Sequence, residues 1–299
     1  MKALLREAGI GSYTALVRAG DDPHGLSEDF ATSAFNHMIL YIPSQETWLE
    51  CTSNDFPPGY LGSFTADRSV LLVTEQGGQL ARTPACPPDK NLALRRTEIS
   101  VSPSGEATIN KISVLLGPAH EWYRHAANQL APEDLKKEMQ ENNPLPQSYI
   151  TRLQVKPDND TPGAVVEYAM DVPQYGSKAG KRLFLPINPV NAFTDVPPAH
   201  DKRTHPVIVR QGYIEQDTIV LNIPEGFSIE SIPAESTLLT TEFGVYSSQI
   251  SRQEKGLVLV RRLELKPVHL PADRYNDWRN FLRDVARADG MKVVLIQKT

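Results

Sequence analysis

Apolar positions alternate with polar ones in short bursts along most of this chain, and only a few stretches repeat at helical spacing. TALVRAG, HMILYIP, TWLECT, SVLLVT and QLARTP are bursts of this kind, between residues 14 and 84. Rich in β-branched and aromatic residues and separated by Gly, Pro, Asp and Asn, they predict a set of small antiparallel strands. Ahead of them, KALLREAGIG puts Leu4, Leu5 and Ala8 on one helical face and ends at Gly9, a residue suited to terminate a helix. No capping residue precedes Lys2, so the helix reads as an element cut part-way, whose domain is expected to begin earlier. Residues 1–84 are therefore expected to form one helix-then-sheet unit.

ACPPDKN, residues 85–91, is a polar, proline-bearing hinge. Beyond it LALRRTEISV and ATINKISVLLG flank SPSGE, where Gly105 can supply the positive φ of a hairpin. Pro118 opens a predicted helix carrying Trp122, Tyr123 and Ala126, and Pro132 opens another carrying Leu135 and Met139. YITRLQV, AVVEYAMDV and RLFLPI return to strand spacing, which gives a β-rich domain over 92–190 with a helical insertion. NAFTDVPPAHDKRTHP reads as a second linker. Residues 204–299 then form a third domain of strands, among them TIVLNIP, FSIESIP, STLLTTEFGVYSSQIS and LVLVRRLELKPV. A helix over 271–290, with Tyr275, Trp278, Phe281, Leu282 and Val285 on one face, closes that domain and is expected to pack on its sheet. The fold class is thus α+β: a helix-plus-antiparallel-sheet core followed by two β-rich, sandwich-like domains, the last with a C-terminal helix.

Composition narrows the function classes. A chain of 299 residues exceeds one ordinary core and fits two or three. Its net charge of -5 opposes nucleic-acid binding, which needs clustered cations. The short basic runs Arg95-Arg96 and Arg261-Arg262 fall in strand patterns and are expected to edge a sheet. No apolar run approaches the ~18 residues of a membrane span, and Met1 does not open a signal sequence. With only Cys51 and Cys86, a disulfide framework is excluded and a single pairing stays open.

Candidate chemistry gathers in FNHMILYIPSQETWLECTS, residues 35–53. On a strand, His37, Ile39 and Tyr41 face one way; on the next, Trp48, Glu50 and Thr52 share a face. The PSQE turn between them is short enough for a hairpin, and antiparallel pairing can bring Glu50 beside His37. A carboxylate on one ring nitrogen fixes the tautomer and lets the other nitrogen act as a base toward a nucleophile. Spacing alone favours the plainer reading, a strand-end His bonded to backbone and an acid in solvent. Cys51 follows Glu50 directly, so on a strand it points to the opposite face, as a buried core thiol; Cys86, in the hinge, reads as an exposed structural cysteine. His120-Glu121 and His125 imitate a zinc helix motif, but the histidines are five apart, roughly 140° around the helix, and read as surface residues. GIGSY leads from helix to strand, the reverse of a phosphate loop. No cofactor or metal is expected.

KALLREAGIGSYTALV, FNHMILYIP, WLECTS and GYLGSFTADRSVLLVTEQGG, in that order, resemble the latter part of a bacterial transglutaminase-like domain over residues 1–84. The resemblance implies a papain-like Cys, His, acid order, with His37 as the His and Glu50 where the family usually has Asp. The family's Gly-Asp-Cys segment, expected just before the helix, is absent, so this chain reads as the C-terminal portion of such a protein, itself inactive for want of the nucleophile. The resemblance implies a cysteine hydrolase or acyltransferase acting on peptide-type amide bonds of a peptide or protein, in the periplasm or cell envelope. The residues after 84 are similar to β domains that follow such cores in multidomain envelope proteins. The alternative is a non-catalytic envelope scaffold or binding module for glycan, peptide or protein; Glu in place of Asp, one methylene longer and harder to hold, leans toward it.

Overall fold

The computed structural model describes residues 1–20, 34–52, 55–200 and 202–298. Strands make up 45% of the chain and helices 19%, so the α+β class holds with its weight on the strands. Two compact units emerge: Met1–Pro87 with Asp158–Gly163, and Pro88–Pro157 with Ala164–Thr299.

The first unit opens with α1 (Lys2–Glu7), whose exit at Gly9 has φ 74°, a conformation that costs a glycine little. None of the α1 residues is buried, and Leu4 is exposed. Strands β1 (Tyr13–Val17), β2 (His37–Ile42), β3 (Thr47–Leu49), β4 (Ser69–Thr74) and β5 (Gly77–Arg82) form one sheet in the order β3-β2-β1-β4-β5. A single 3-10 turn, Pro43–Gln45, joins β2 to β3, and Glu46 completes it at φ 49°. Cross-strand partners share a face. Val17 lies opposite His37 and Val70, Ala15 opposite Ile39 and Leu72, and Tyr41 opposite Trp48. This face carries the core of Ala15, Val17, Ile39, Trp48, Leu61, Val70 and Leu72, so His37 stands at one end of a buried apolar row.

The second unit contains β6 (Leu92–Val101), β7 (Ala107–Leu116), α2 (Glu121–Gln129), α3 (Pro132–Glu141), β8 (Tyr149–Pro157) and β9 (Gly163–Val172). There follow β10 (Ser177–Ala179), β11 (Arg182–Pro186), β12 (Val207–Val209), β13 (Tyr213–Asn222), β14 (Phe227–Ser231), β15 (Ser236–Thr241) and β16 (Gly244–Gln253). β17 (Gly256–Leu265), β18 (Val268–Leu270), α4 (Tyr275–Asp289) and β19 (Lys292–Gln297) complete it. Gly105, in the β6–β7 turn, has φ 95°.

Here the structure departs from the expected division at the second linker. The strands of 92–190 and of 204–299 make one eight-stranded sheet, β15-β16-β17-β13-β6-β7-β9-β8, in which β13 pairs in parallel with β6 over nine residues. A smaller sheet, β10-β11-β19-β14, also draws β11 from one expected domain and β14 and β19 from the other. Leu183, Leu185, Val293 and Leu295 of that sheet join Ile99, Ile109, Ile219 and Leu221 of the large one in a single core. A second cluster packs Phe281, Leu282 and Val285 of α4 on Tyr246 and Leu263.

The inward face of the large sheet also carries a belt of charge. Arg95 on β6 lies beside Asp217 on β13, which lies beside Arg261 on β17. Strand alternation turns Arg95 and Arg261 inward and leaves Arg96 exposed. The two basic runs therefore sit on interior strands, not at a sheet edge. Arg261, with a fully buried side chain, pairs with Glu215 at 2.8 Å, Asp217 at 2.6 Å and Asp289, the last residue of α4, at 2.8 Å. Its charge and that of Arg95 hold the Glu215 carboxyl below the usual range against the opposing effect of burial, whereas at Asp217 burial wins and the shift is upward.

Candidate active site

β2 places His37 at its first residue, and β3 ends at Leu49, one residue before Glu50. Continued along the hairpin register, Glu50 falls opposite Ile39, on the same face as His37 and diagonal to it. His37 Nε2 and Glu50 Oε2 are 2.8 Å apart. The other oxygen, Oε1, accepts the N–H of Cys51 at 2.9 Å, the N–H of Thr52 at 2.9 Å and the Thr52 hydroxyl at 2.8 Å. The carboxylate side chain is only 2% exposed. Burial pushes its pKa up, but the bonds from His37 and Thr52 outweigh this, and the carboxyl is held below its ordinary value. It is thus an ionised acceptor with both oxygens occupied.

His37 is itself mostly covered, with the Phe64 ring edge-on at a centroid distance of 5.4 Å. With Nε2 committed to Glu50, the neutral ring carries its proton there and offers the Nδ1 lone pair. Nδ1 has no hydrogen-bond partner among the described residues. Gly62 allows the Phe64 ring its position: a Cβ at Gly62 would clash with Phe64 Cε1. Neither Phe64 nor the part of Thr52 in clamping the acid follows from spacing, because Phe64 comes from a loop and Thr52 acts past a strand end.

The structure brings no cysteine into this pair's service. Cys51, expected in the core, is exposed: the chain leaves β3 before reaching it, so strand alternation no longer applies. Its Sγ contacts the Leu49 carbonyl, and partial burial and the Glu50 charge push its pKa up, the opposite of activation. Cys86 is half-buried, and Cys51 and Cys86 are not joined in a disulfide. His120 is another correction. It is fully buried, with Nδ1 bonded to the Gly117 carbonyl and its pKa lowered by burial, while His125 on the next turn is exposed. Among the described residues no group of three or more His, Cys, Asp or Glu side chains is placed to hold a metal ion. Among the described residues, no helix is long and apolar enough to cross a membrane.

Comparison with known proteins bears on the fold. A family described as "Domain of Unknown Function with solved-structure structure (DUF3858)" matches residues 181–295. That segment runs from β11 to β19, which pair with each other across the expected linker. The crystal structure of a "putative protease" from Parabacteroides distasonis is similar over 99% of this chain, with a TM-score of 0.52 at 12% identity. The chain spans 42% of that protein's length. No curated protein matches the chain.

Proposed function

We propose that residues 1–84 carry the base and the orienting acid of a transglutaminase-like cysteine hydrolase or acyltransferase acting on peptide-type amide bonds. The observation that carries this reading is the His37–Glu50 contact, with Nε2 on the acid and Nδ1 left over as the base. In the reaction, Nδ1 would take the proton of a cysteine thiol as sulfur attacks the amide carbonyl, and return it to the leaving amine. Glu50 would stabilise the imidazolium formed between these steps. The acyl-enzyme would then pass to water, hydrolysis being preferred to crosslinking.

The clamp on Glu50 favours this over a non-catalytic scaffold. The objection that a glutamate is harder to hold than an aspartate loses force where one oxygen takes three donors within 2.9 Å. Cys51 is unsuited to be the nucleophile, so the reading requires a cysteine from outside residues 1–299 and implies no turnover by these residues alone. Topology allows for it. α1 enters β1 at Tyr13, and His37 pairs with Val17 at the far end of that strand. A helix running back along β1 for about three turns would bring its N-terminus, where a thiol pKa is lowered, to the His37 end. A periplasmic or envelope location belongs to the same proposal.

The test is the reading frame upstream of Lys2. A Gly-Asp-Cys within about three helical turns supports the assignment. Any other residue at the cysteine position, in a gene that does continue upstream, removes the nucleophile and with it the enzyme.

A further inference from the structure

A second polar site lies in the β-rich unit, distant in sequence from His37 and Glu50. β7 should turn an unbroken apolar row inward, and Ile109 and Leu115 obey, but Lys111 and Ser113 stand between them. Their side chains, with Arg95, Tyr123, Asn191 and Glu215, line a cavity of about 360 Å³, large enough for a small ligand.

Its hydrogen-bonding groups do not balance. Each oxygen of Glu215 accepts a bond, from Arg95 at 2.8 Å and from Arg261 at 2.8 Å. Lys111 Nζ spends one of its three donors on Asn191 Oδ1. That bond fixes the amide so that Nδ2 faces the other way. Asn191 is 92% buried, and Nδ2 has no partner. The hydroxyls of Ser113 and Tyr123 make no hydrogen bond either among the described residues. The donors left over on Lys111 and the unpartnered Asn191 Nδ2 call for an occupant with acceptor oxygens. Charge sets a limit. The guanidinium groups of Arg95 and Arg261 and the Lys111 ammonium meet the carboxylates of Glu215, Asp217 and Asp289, so the cluster is neutral when Lys111 is protonated and has no surplus cation to answer a multiply charged anion.

We propose that this cavity binds a small monocarboxylate, its oxygens held by Lys111 Nζ and Asn191 Nδ2. The amine is poised for such a guest: burial and the neighbouring Arg95 charge lower its pKa to about 7, and a bound carboxylate would restore the ammonium form.

The test uses sodium acetate and sodium propionate with the intact protein at pH 7, against sodium chloride and inorganic phosphate at matched ionic strength. Melting temperature and NMR shifts should respond to the carboxylates with saturation, and Lys111→Met and Asn191→Leu should each weaken binding at least about tenfold. Lys111→Met removes an amine whose protonation opposes folding, so that variant should fold. Should a variant fail to fold, wild type decides: acetate should slow modification of Lys111 by a limiting amount of acylating reagent, read by mass spectrometry, and chloride should not. Absence of saturation, equal response in both variants, or equally tight phosphate binding would overturn the proposal and leave a water-filled cavity.

Discussion

Replacing Arg261 by Met should be among the most damaging single changes in the β-rich unit. Its guanidinium is fully buried and answers three carboxylates: Glu215 and Asp217 through Nη1 and Asp289 through Nη2. Methionine fills much of the volume but leaves Asp289 with only the Tyr246 hydroxyl and the Phe193 N–H, at 2.8 Å each. Removing one side of a buried ionic group costs about 3–5 kcal/mol, because the remaining charges have lost their compensation. In a unit of about 200 residues each kcal/mol moves the melting temperature by about 2–4 °C, so a fall of about 6–20 °C is expected. The penalty should also depend on pH. The Asp217 carboxyl, already raised by burial, rises further above its unfolded value without the Arg261 charge, so its cost is in place at pH 8 and shrinks as pH falls toward 5. Urea titrations of wild type, Arg261→Met and the neighbouring Arg262→Met at both pH values provide the assay. Arg262 makes a partly exposed pair with Glu264, and its loss should cost under about 1 kcal/mol. An Arg261→Met penalty no larger than that of Arg262→Met would refute the reasoning.

Two further changes probe the candidate site. Glu50→Gln keeps an oxygen for Cys51 and Thr52 but turns an NH2 toward His37 Nε2, which must then accept; the neutral ring carries its proton on Nδ1, and 15N shifts of His37 should show the exchanged tautomer. Because the folded Glu50 pKa is depressed, wild type should exceed this variant in stability by about 1–2 kcal/mol above about pH 4.3, the difference fading as acid protonates Glu50; a pH-independent difference would contradict the clamp. Gly62→Ala should displace the Phe64 ring and alter the ring-current shift of the His37 ring protons, at a cost of about 1 kcal/mol; unchanged shifts would show that Gly62 does not position Phe64.

Strands and helices were largely legible because alternation and turn residues mark them locally. The β6–β7 hairpin, the α4 face and the small strands of the first unit all follow from their own residues. Their pairing across distance was not. Nothing local in LALRRTEISV tells that it will lie parallel to YIEQDTIVLN some 120 residues later, and KVVLIQ was too short and too near the end to read as the strand that joins β11 to β14. Arg95 and Arg261 misled for the same reason. A charged residue at an inward position reads as an edge unless its partners, on other strands and on α4, are already known. At the site, alternation put His37 and Glu50 on one face, but it failed for Cys51 because β3 stops two residues earlier.

Labelling by a thiol-reactive acyl probe tests the central claim most directly. His37→Gln is the variant of choice, since its amide can still donate to Glu50 from the position of Nε2 while the Nδ1 base is gone. In the full-length gene product the probe should attach to a cysteine preceding residue 1, and His37→Gln should abolish attachment while shifting the melting temperature little. Equal labelling of wild type and His37→Gln, or labelling confined to Cys51 or Cys86, would contradict the account.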